Sequence, residues 1–188
     1  IKEPLIQLLI VYLKLRAMKG IIIYKGKYGA TRQYALWLGE MLHIPFITAG
    51  DETKPQLEDA DYIIMGTSIY IGKLQLRKWL KTHQEVLVNK RLFLFLVAGT
   101  PPSEQEKLQG YIEANIGIEI RNCCSFFFLP GKLEFSKLSL IDKLLLKIGS
   151  RLSKSKGEVI SVTDYNNVTK EALLPMLEAI SKKEGAVI

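Results

Sequence analysis

The chain has 188 residues, of which 48% are hydrophobic and 24% charged, a balance that excludes a disordered or fibrous protein. A single domain of this size buries an ordinary core without metal or disulfide support. The formal net charge of +7 permits nucleic acid, an anionic membrane or an acidic partner without selecting one of them. We predict no nucleic-acid partner.

The only two cysteines, Cys123 and Cys124, are adjacent within an apolar run. Neighbouring cysteines form a disulfide only with strain, and the sequence has no Cys/His spacing typical of a metal site. We therefore expect two buried thiols in a reducing cytoplasm, and no bound metal.

The N-terminal residues 1–17 differ in pattern from the rest of the chain. Their apolar run, residues 8–13, is too short to span a bilayer, and the cations that follow it are misplaced for a secretory signal. Met18 then precedes the first strand. We expect 1–17 to be an added or upstream-derived helix, with a membrane-seeking arm as the alternative. The domain itself is predicted over 18–185.

Apolar segments alternate with amphipathic ones along this domain. Strands are predicted at 21–24, 44–48, 62–65, 91–98 and 119–129, and helices at 31–42, at 74–88 and from Ser103 onward. This alternation predicts an α/β fold, a doubly wound sheet of five parallel strands with helices on both faces.

Three loops rich in Gly, Thr, Ser or Pro leave the carboxyl ends of these strands: 25–31, 66–72 and 99–102. In a parallel sheet they lie at the same edge, where doubly wound folds bind their ligands. The first loop precedes a helix, so its N–H groups and the positive end of the helix dipole suit a phosphate. It matches neither the P-loop nor the GxGxxG fingerprint. The sequence thus predicts a phosphorylated ligand at this edge.

A resemblance to flavodoxins begins at residues 24–35, YKGKYGATRQYA, which are similar to their phosphate loop. The segment is more similar still to flavodoxin-domain proteins of the menaquinone-dependent protoporphyrinogen oxidase group. Three later segments resemble that group's flavin loop, fourth-strand loop and basic insertion: 59–73, 97–102 and 130–147. The resemblance covers most of 18–182. It implies a flavodoxin-like three-layer sandwich that binds FMN and works as an oxidoreductase.

The same resemblance implies which residues would contact FMN. The phosphate would be held by Lys25, Gly26, Lys27, Tyr28, Gly29, Ala30 and Thr31. The isoalloxazine ring would be lined by Thr67, Ser68, Ile69, Tyr70 and Gly72, with Tyr70 stacked on it, and covered on its other side by Gly99, Thr100 and Pro101. No catalytic residue is assigned.

Two positions of the first loop depart from the resembled pattern. The group often has hydroxyl residues where this chain has Gly26 and Ala30. Each change removes a possible hydrogen bond to phosphate, which contributes about 1.5–3 kcal/mol when the acceptor is charged. Lys25 and Lys27 either compensate for that loss electrostatically or point to solvent.

The predicted basic insertion covers about 130–156, and its residues 138–152 are amphipathic. Leu138, Ile141, Leu145, Ile148 and Leu152 share one side, and Lys143, Lys147 and Arg151 another. The apolar stripe either packs on the domain or lies on an anionic membrane, which for a cytoplasmic protein is the inner face of the cell membrane.

Three functions follow as expectations from the resemblance. The first is an enzyme related to protoporphyrinogen oxidase, which passes electrons to a quinone or to a redox partner protein. The alternative is a flavodoxin-type electron carrier with no substrate of its own. The third is a degenerate domain that has lost flavin through the changes at Gly26 and Ala30. Carriers commonly present acidic docking surfaces, so the basic charge of this chain slightly favours the enzyme or an acidic partner.

Overall fold

The computed structural model describes residues 18–144, 148 and 163–182. The predictions for residues 1–17, for most of 145–162 and for 183–185 lie outside these residues. The described strands are β1 (Gly20–Lys25), β2 (Phe46–Thr48), β3 (Tyr62–Tyr70), β4 (Lys73–Leu74), β5 (Arg91–Ala98), β6 (Cys124–Pro130), β7 (Lys132–Leu133) and β8 (Tyr165–Asn166). The helices are α1 (Ala30–Leu42), α2 (Lys54–Glu58), α3 (Arg77–Thr82), α4 (Gln84–Leu87), α5 (Gln105–Asn115), α6 (Ile118–Cys123) and α7 (Leu174–Lys182), and residues 140–144 are also helical.

The central sheet has the strand order β2-β1-β3-β5-β6, and all of these strands run parallel. The predicted five-stranded parallel sheet is thereby confirmed. Short β4 adds to β3 in the antiparallel direction, and β7 pairs with β8 as a separate ribbon. The direction in which successive strands are added reverses between β1 and β3. The carboxyl ends of these two strands therefore lie side by side at the point of reversal.

Two apolar layers cover the sheet because successive strand residues point to opposite faces. Ile22 of β1 packs with α1 and α7, whereas its neighbours Ile21 and Ile23 pack with α3, α4, α5 and α6. The layers between sheet and helices contain fully buried aromatic and aliphatic side chains, among them Tyr34 and Phe95. This arrangement confirms the flavodoxin-like three-layer sandwich.

The third and fifth strands differ from their predicted bounds. The structure extends β3 through Tyr70, because its pairing with β5 continues past Gly66 to Ser68. The segment predicted as the start of the fifth strand is instead helix α6. Ile120 is buried whereas Ile118, two residues before it, is exposed, so this segment lacks the strand pattern in which residues i and i+2 share one face.

The helix predicted over 74–88 is divided in two. Leu74 belongs to β4, and His83 interrupts the remainder with a non-helical backbone at φ −104° and ψ 11°. The expectation of two buried cysteines was also wrong, because Cys123 and Cys124 are both only half-buried. In the described part of the chain, no helix is long and apolar enough to cross a membrane.

The basic insertion leaves the sheet after β6 and folds over its carboxyl edge. Leu138 is buried, whereas Ile141 and Ile148 of the predicted apolar stripe are exposed. Among the described residues of the stripe, Leu138 alone packs on the domain; Leu145 and Leu152 lie outside the described residues.

Candidate functional site

A cavity of about 460 Å³ opens at the carboxyl ends of β1, β3 and β5, which is the sheet edge predicted to hold the site. Its volume is within the range of small-molecule and cofactor sites. Its walls come from the first loop, the end of β3, the end of β5 and the insertion. The lining residues are Lys27, Tyr28, Ala30, Thr31, Ser68, Ile69, Tyr70, Ile71, Val97, Ala98, Lys132, Leu133, Leu138 and Asp142.

The first loop ends at Gly29, which caps the amino end of α1 with a left-handed backbone at φ 85°. No side chain of the described residues caps this end of the helix, and its first turn contains no acidic residue. The positive end of the helix dipole therefore faces the loop without a compensating charge. Lys27, Tyr28, Ala30 and Thr31 line the cavity, whereas Lys25, Gly26 and Gly29 do not.

The end of β3 contributes three of the five residues predicted there. Ser68, Ile69 and Tyr70 line the cavity. Thr67 is buried, and its hydroxyl accepts a hydrogen bond of 3.1 Å from the Leu76 N–H, so the structure places it beneath the site. Gly72 lies beyond the cavity wall, in the turn to β4.

The third loop is covered by the outer ribbon. Gly99, Thr100 and Pro101 do not line the cavity, whose wall at this strand consists of Val97 and Ala98. The Tyr165 hydroxyl lies so close to Gly99 that a Cβ there would be 2.6 Å from it. The structure therefore brings the first two predicted loops together at the cavity and leaves the third outside its wall.

The insertion contributes a buried carboxylate that sequence reasoning did not assign to the site. Asp142 is only 6% exposed, and its Oδ2 lies 2.7 Å from Lys27 Nζ. Its other oxygen accepts a hydrogen bond from the Tyr70 hydroxyl. Lys27 Nζ also lies 3.9 Å from the centroid of the Tyr70 ring, a cation–π contact. One carboxylate thus joins the first loop to the end of β3.

Lys132, Leu133 and Leu138 also line the cavity and were not predicted. One signal in the sequence could have drawn attention to the insertion: Glu134 and Asp142 are the only acids in its otherwise basic part, 132–156. Both prove to be ion-pair partners of lysines at the cavity. The pairing itself depends on tertiary folding and could not be read from spacing.

The β3–β4 turn holds a strained residue at the cavity mouth. Ile71 has φ 51° and Gly72 φ 69°, the pair of positive φ angles that a two-residue hairpin turn requires. A β-branched residue is unfavourable in this region, and the Ile71 side chain is 63% exposed. Strain of this kind concentrates at functional sites.

Replacing Ile71 with asparagine should stabilise the folded chain by about 0.5–1 kcal/mol, since Asn tolerates the left-handed region and Asn-Gly is favoured in this turn. Urea unfolding measures the change. Ile118→Asn is the matched control, because Ile118 is also exposed but has no positive φ and should bring no gain. A loss of stability in Ile71→Asn would show that its side chain makes contacts worth more than the strain.

Three groups around the site bind their protons more tightly in the folded chain. Burial raises the pKa of Tyr34 and of Tyr165 above the ordinary 10.0. A hydrogen bond to Asp142 raises the pKa of Lys27 above the ordinary 10.5. The stability that these three groups contribute is therefore fully present below about pH 10. It is lost as the pH rises through their raised pKa values.

We accordingly expect the urea midpoint to fall as the pH rises above about 10, because the native state then holds more protons than the unfolded chain. Tyr165→Phe removes one of the three groups and should make this fall shallower. An alkaline fall as steep in Tyr165→Phe as in the original chain would contradict the assignment.

Comparisons with known proteins agree with this architecture. The family model described as "Flavodoxin domain" matches residues 21–160. No curated protein matches the chain. A flavodoxin from the domain Archaea is 18% identical with a TM-score of 0.42, and the match covers 60% of this chain and 83% of that one. An NAD(P)H:quinone oxidoreductase from Methanothermobacter marburgensis is 9% identical with a TM-score of 0.42, over 78% of this chain and 99% of that one.

A protein from Bacteroides eggerthii that is described as a flavoprotein is 11% identical with a TM-score of 0.44, over 60% of this chain and 87% of that one. These structural similarities are distant, and the match of the domain model carries the assignment. Membership of this family implies a flavin cofactor. With its parallel five-stranded sheet, its cavity at the carboxyl edge and a domain match over 21–160, the chain belongs to the flavodoxin domain family.

Proposed function

We propose that the chain binds FMN non-covalently in this cavity and works as an oxidoreductase. The observation that carries the proposal is the continuity of the cavity with the uncapped amino end of α1. One end of the site offers backbone N–H groups and a helix dipole to an anion, and the other offers apolar walls to a ring system. A phosphorylated flavin needs both.

The residues of the site divide between these tasks. Thr31 and the loop N–H groups would hold the phosphate, while Ile69, Tyr70 and Val97 would pack against the ring. The bound flavin would supply one- or two-electron transfer, and the protein would supply its position and electrostatics. Leu138 and Asp142 would shield the site from water on the side of the insertion.

The finer proposal is an enzyme of the protoporphyrinogen oxidase type. It is supported by the position of the insertion, whose Leu138 and Asp142 form part of the cavity wall. A segment folded over the site suits a reaction on an enclosed small molecule. The alternative, an electron carrier, needs an open ring edge against which a partner protein can dock.

We further propose that electrons leave to a membrane quinone, with the cytoplasmic domain held at the inner membrane face through residues 138–152. Leu140, Ile141 and Leu144 are all exposed, at 83%, 69% and 60%, beside the cavity and close to Lys143. Exposed apolar side chains flanked by cations are the pattern of an interfacial helix. A redox partner protein at the same surface is the competing possibility.

The first experiment is flavin binding. Purified protein is mixed with FMN, passed through a desalting column and examined by absorption and fluorescence. We expect retained flavin with a shifted visible spectrum. Loss of all flavin on the column, with no spectral shift during titration, would instead support a domain that no longer binds the cofactor.

The second experiment separates enzyme from carrier. FMN-loaded protein is given protoporphyrinogen and a menaquinone analogue, and porphyrin fluorescence is followed. Turnover above that of free FMN supports the enzyme. Rapid reduction by a flavodoxin reductase without any turnover supports the carrier. Sedimentation with anionic and with neutral vesicles tests the membrane contact, which should require anionic lipid.

A further inference from the structure

The phosphate end of the cavity has few hydroxyl groups of its own. Between residues 25 and 31 only Tyr28 and Thr31 carry one. Gly26 has no room for a side chain, because a Cβ there would lie 2.4 Å from Thr31 Oγ1. The hydroxyl that related loops often place at this position is therefore excluded by packing, and the loss must be offset elsewhere if a phosphate is to bind.

The lysines of the loop do not fill that role. Lys25 is exposed and lies outside the cavity wall. Lys27 Nζ lies 2.7 Å from Asp142 Oδ2 and 3.9 Å from the centroid of the Tyr70 ring. Its charge is thus already balanced by a buried carboxylate on the side of the insertion.

A third lysine does point to the phosphate end. A Cβ built on Gly29 would lie 3.9 Å from Lys132 Nζ, so this ammonium group lies near the cap residue at the amino end of α1. The Lys132 side chain is 25% exposed and lines the cavity.

The backbone at Lys132 is held firmly. Its neighbour Gly131 packs against β5 so tightly that a Cβ would lie 2.9 Å from the Ala98 carbonyl oxygen. The Gly131 carbonyl also accepts a hydrogen bond of 3.2 Å from the Asn167 N–H, and Lys132 pairs with Asn166 across the ribbon. Lys132 is therefore presented from a fixed ribbon and not from a free loop.

Glu134 provides a counter-charge that can be shared. Its Oε1 lies 3.1 Å from Lys132 Nζ, and its other oxygen pairs with Lys137. If Lys132 turned to an anion in the cavity, Glu134 would keep Lys137 as its partner. The exchange leaves no carboxylate unpaired.

We infer that Lys132 is the cationic ligand of the flavin phosphate, and that it makes the site select FMN over unphosphorylated riboflavin. The inference rests on the proposed function. A lysine acts on a phosphate as a point charge, so its effect should depend on the charge of the ligand and on ionic strength.

The test compares Lys132→Met, Lys132→Arg and the control Lys137→Met, with FMN and riboflavin as probes and quenching of flavin fluorescence as the readout. Lys137 shares Glu134 but is 70% exposed. We expect Lys132→Met to weaken FMN binding about tenfold while leaving riboflavin binding unchanged. Lys132→Arg and Lys137→Met should stay within about threefold of the original chain. Added salt should weaken FMN binding to the original chain more than to Lys132→Met.

Equal losses for FMN and riboflavin, an effect of Lys137→Met as large as that of Lys132→Met, or an unchanged FMN affinity in Lys132→Met would each overturn the inference. These results leave the proposed function standing, because the original chain would still bind FMN. Failure of the original chain to bind either flavin would contradict the proposed function itself. Circular dichroism of each variant confirms that it has folded.

Discussion

Replacing Gly29 with alanine should lower the affinity for FMN at least tenfold and destabilise the fold by about 1–2 kcal/mol. The stability cost arises because Gly29 has φ 85°, a backbone conformation that strains any residue with a Cβ. The binding cost arises because the new methyl group would enter the space between the loop and Lys132 Nζ. That space is where the phosphate is proposed to bind.

Gly50→Ala is the control that separates these two effects. Gly50 has φ 104°, and a Cβ built on it meets no atom within 4 Å. It should show a comparable loss in urea unfolding and an unchanged dissociation constant for FMN in a fluorescence titration. If Gly50→Ala weakened FMN binding as much as Gly29→Ala, the loss would reflect general destabilisation, and the phosphate site would have been assigned to the wrong place.

The second large effect is expected in the sheet, where Gly66 of β3 is paired with Phe95 of β5. A Cβ on Gly66 would lie 2.2 Å from the tip of the buried Phe95 ring. Gly66→Ala should therefore destabilise the chain by about 2–3 kcal/mol through overpacking. Phe95→Leu shortens the ring side chain and should offset part of that cost. In the double variant we expect a coupling energy of at least about 1 kcal/mol in the favourable direction.

Gly110→Ala should change the free energy of unfolding in the opposite direction, and it serves as the control. Gly110 lies at an exposed position of α5, where a Cβ meets no atom of the described residues within 4 Å, so the substitution should stabilise by about 0.5–1 kcal/mol. Urea unfolding of the four variants measures all of these values. Strict additivity of Gly66→Ala and Phe95→Leu would mean that the methyl group and the ring do not compete for the same space.

The local patterns of the sequence were sufficient for most of the fold. Three elements formed as predicted because the pattern of each fits one type of secondary structure. They are the apolar strand β1, the amphipathic helix α1 and the nearly all-apolar strand β5. Prediction failed at 119–123, where short apolar runs fit a strand and a helix equally well until packing decides. It also failed at 74–88, where the interruption at His83 leaves no signal in composition.

The candidate site could be predicted only where it is local in sequence. The loop before α1 and the end of β3 were identified from glycines and hydroxyl residues beside strand ends. Lys132 and Asp142 reach the cavity through the path of the insertion, which no spacing rule specifies. Likewise, only the folded ribbon shows that Tyr165 covers Gly99 and keeps the third loop from the cavity wall.

The bridging position of Asp142 has a consequence for kinetics. The Asp142 carboxylate pairs with Lys27 of the first loop and accepts a hydrogen bond from Tyr70 at the end of β3. One side chain therefore connects these two parts of the cavity wall. We expect a ligand bound between these two parts of the wall to leave faster when this small region opens, without unfolding of the sheet below. Its residence time should then depend on the rate of this local opening as well as on equilibrium affinity.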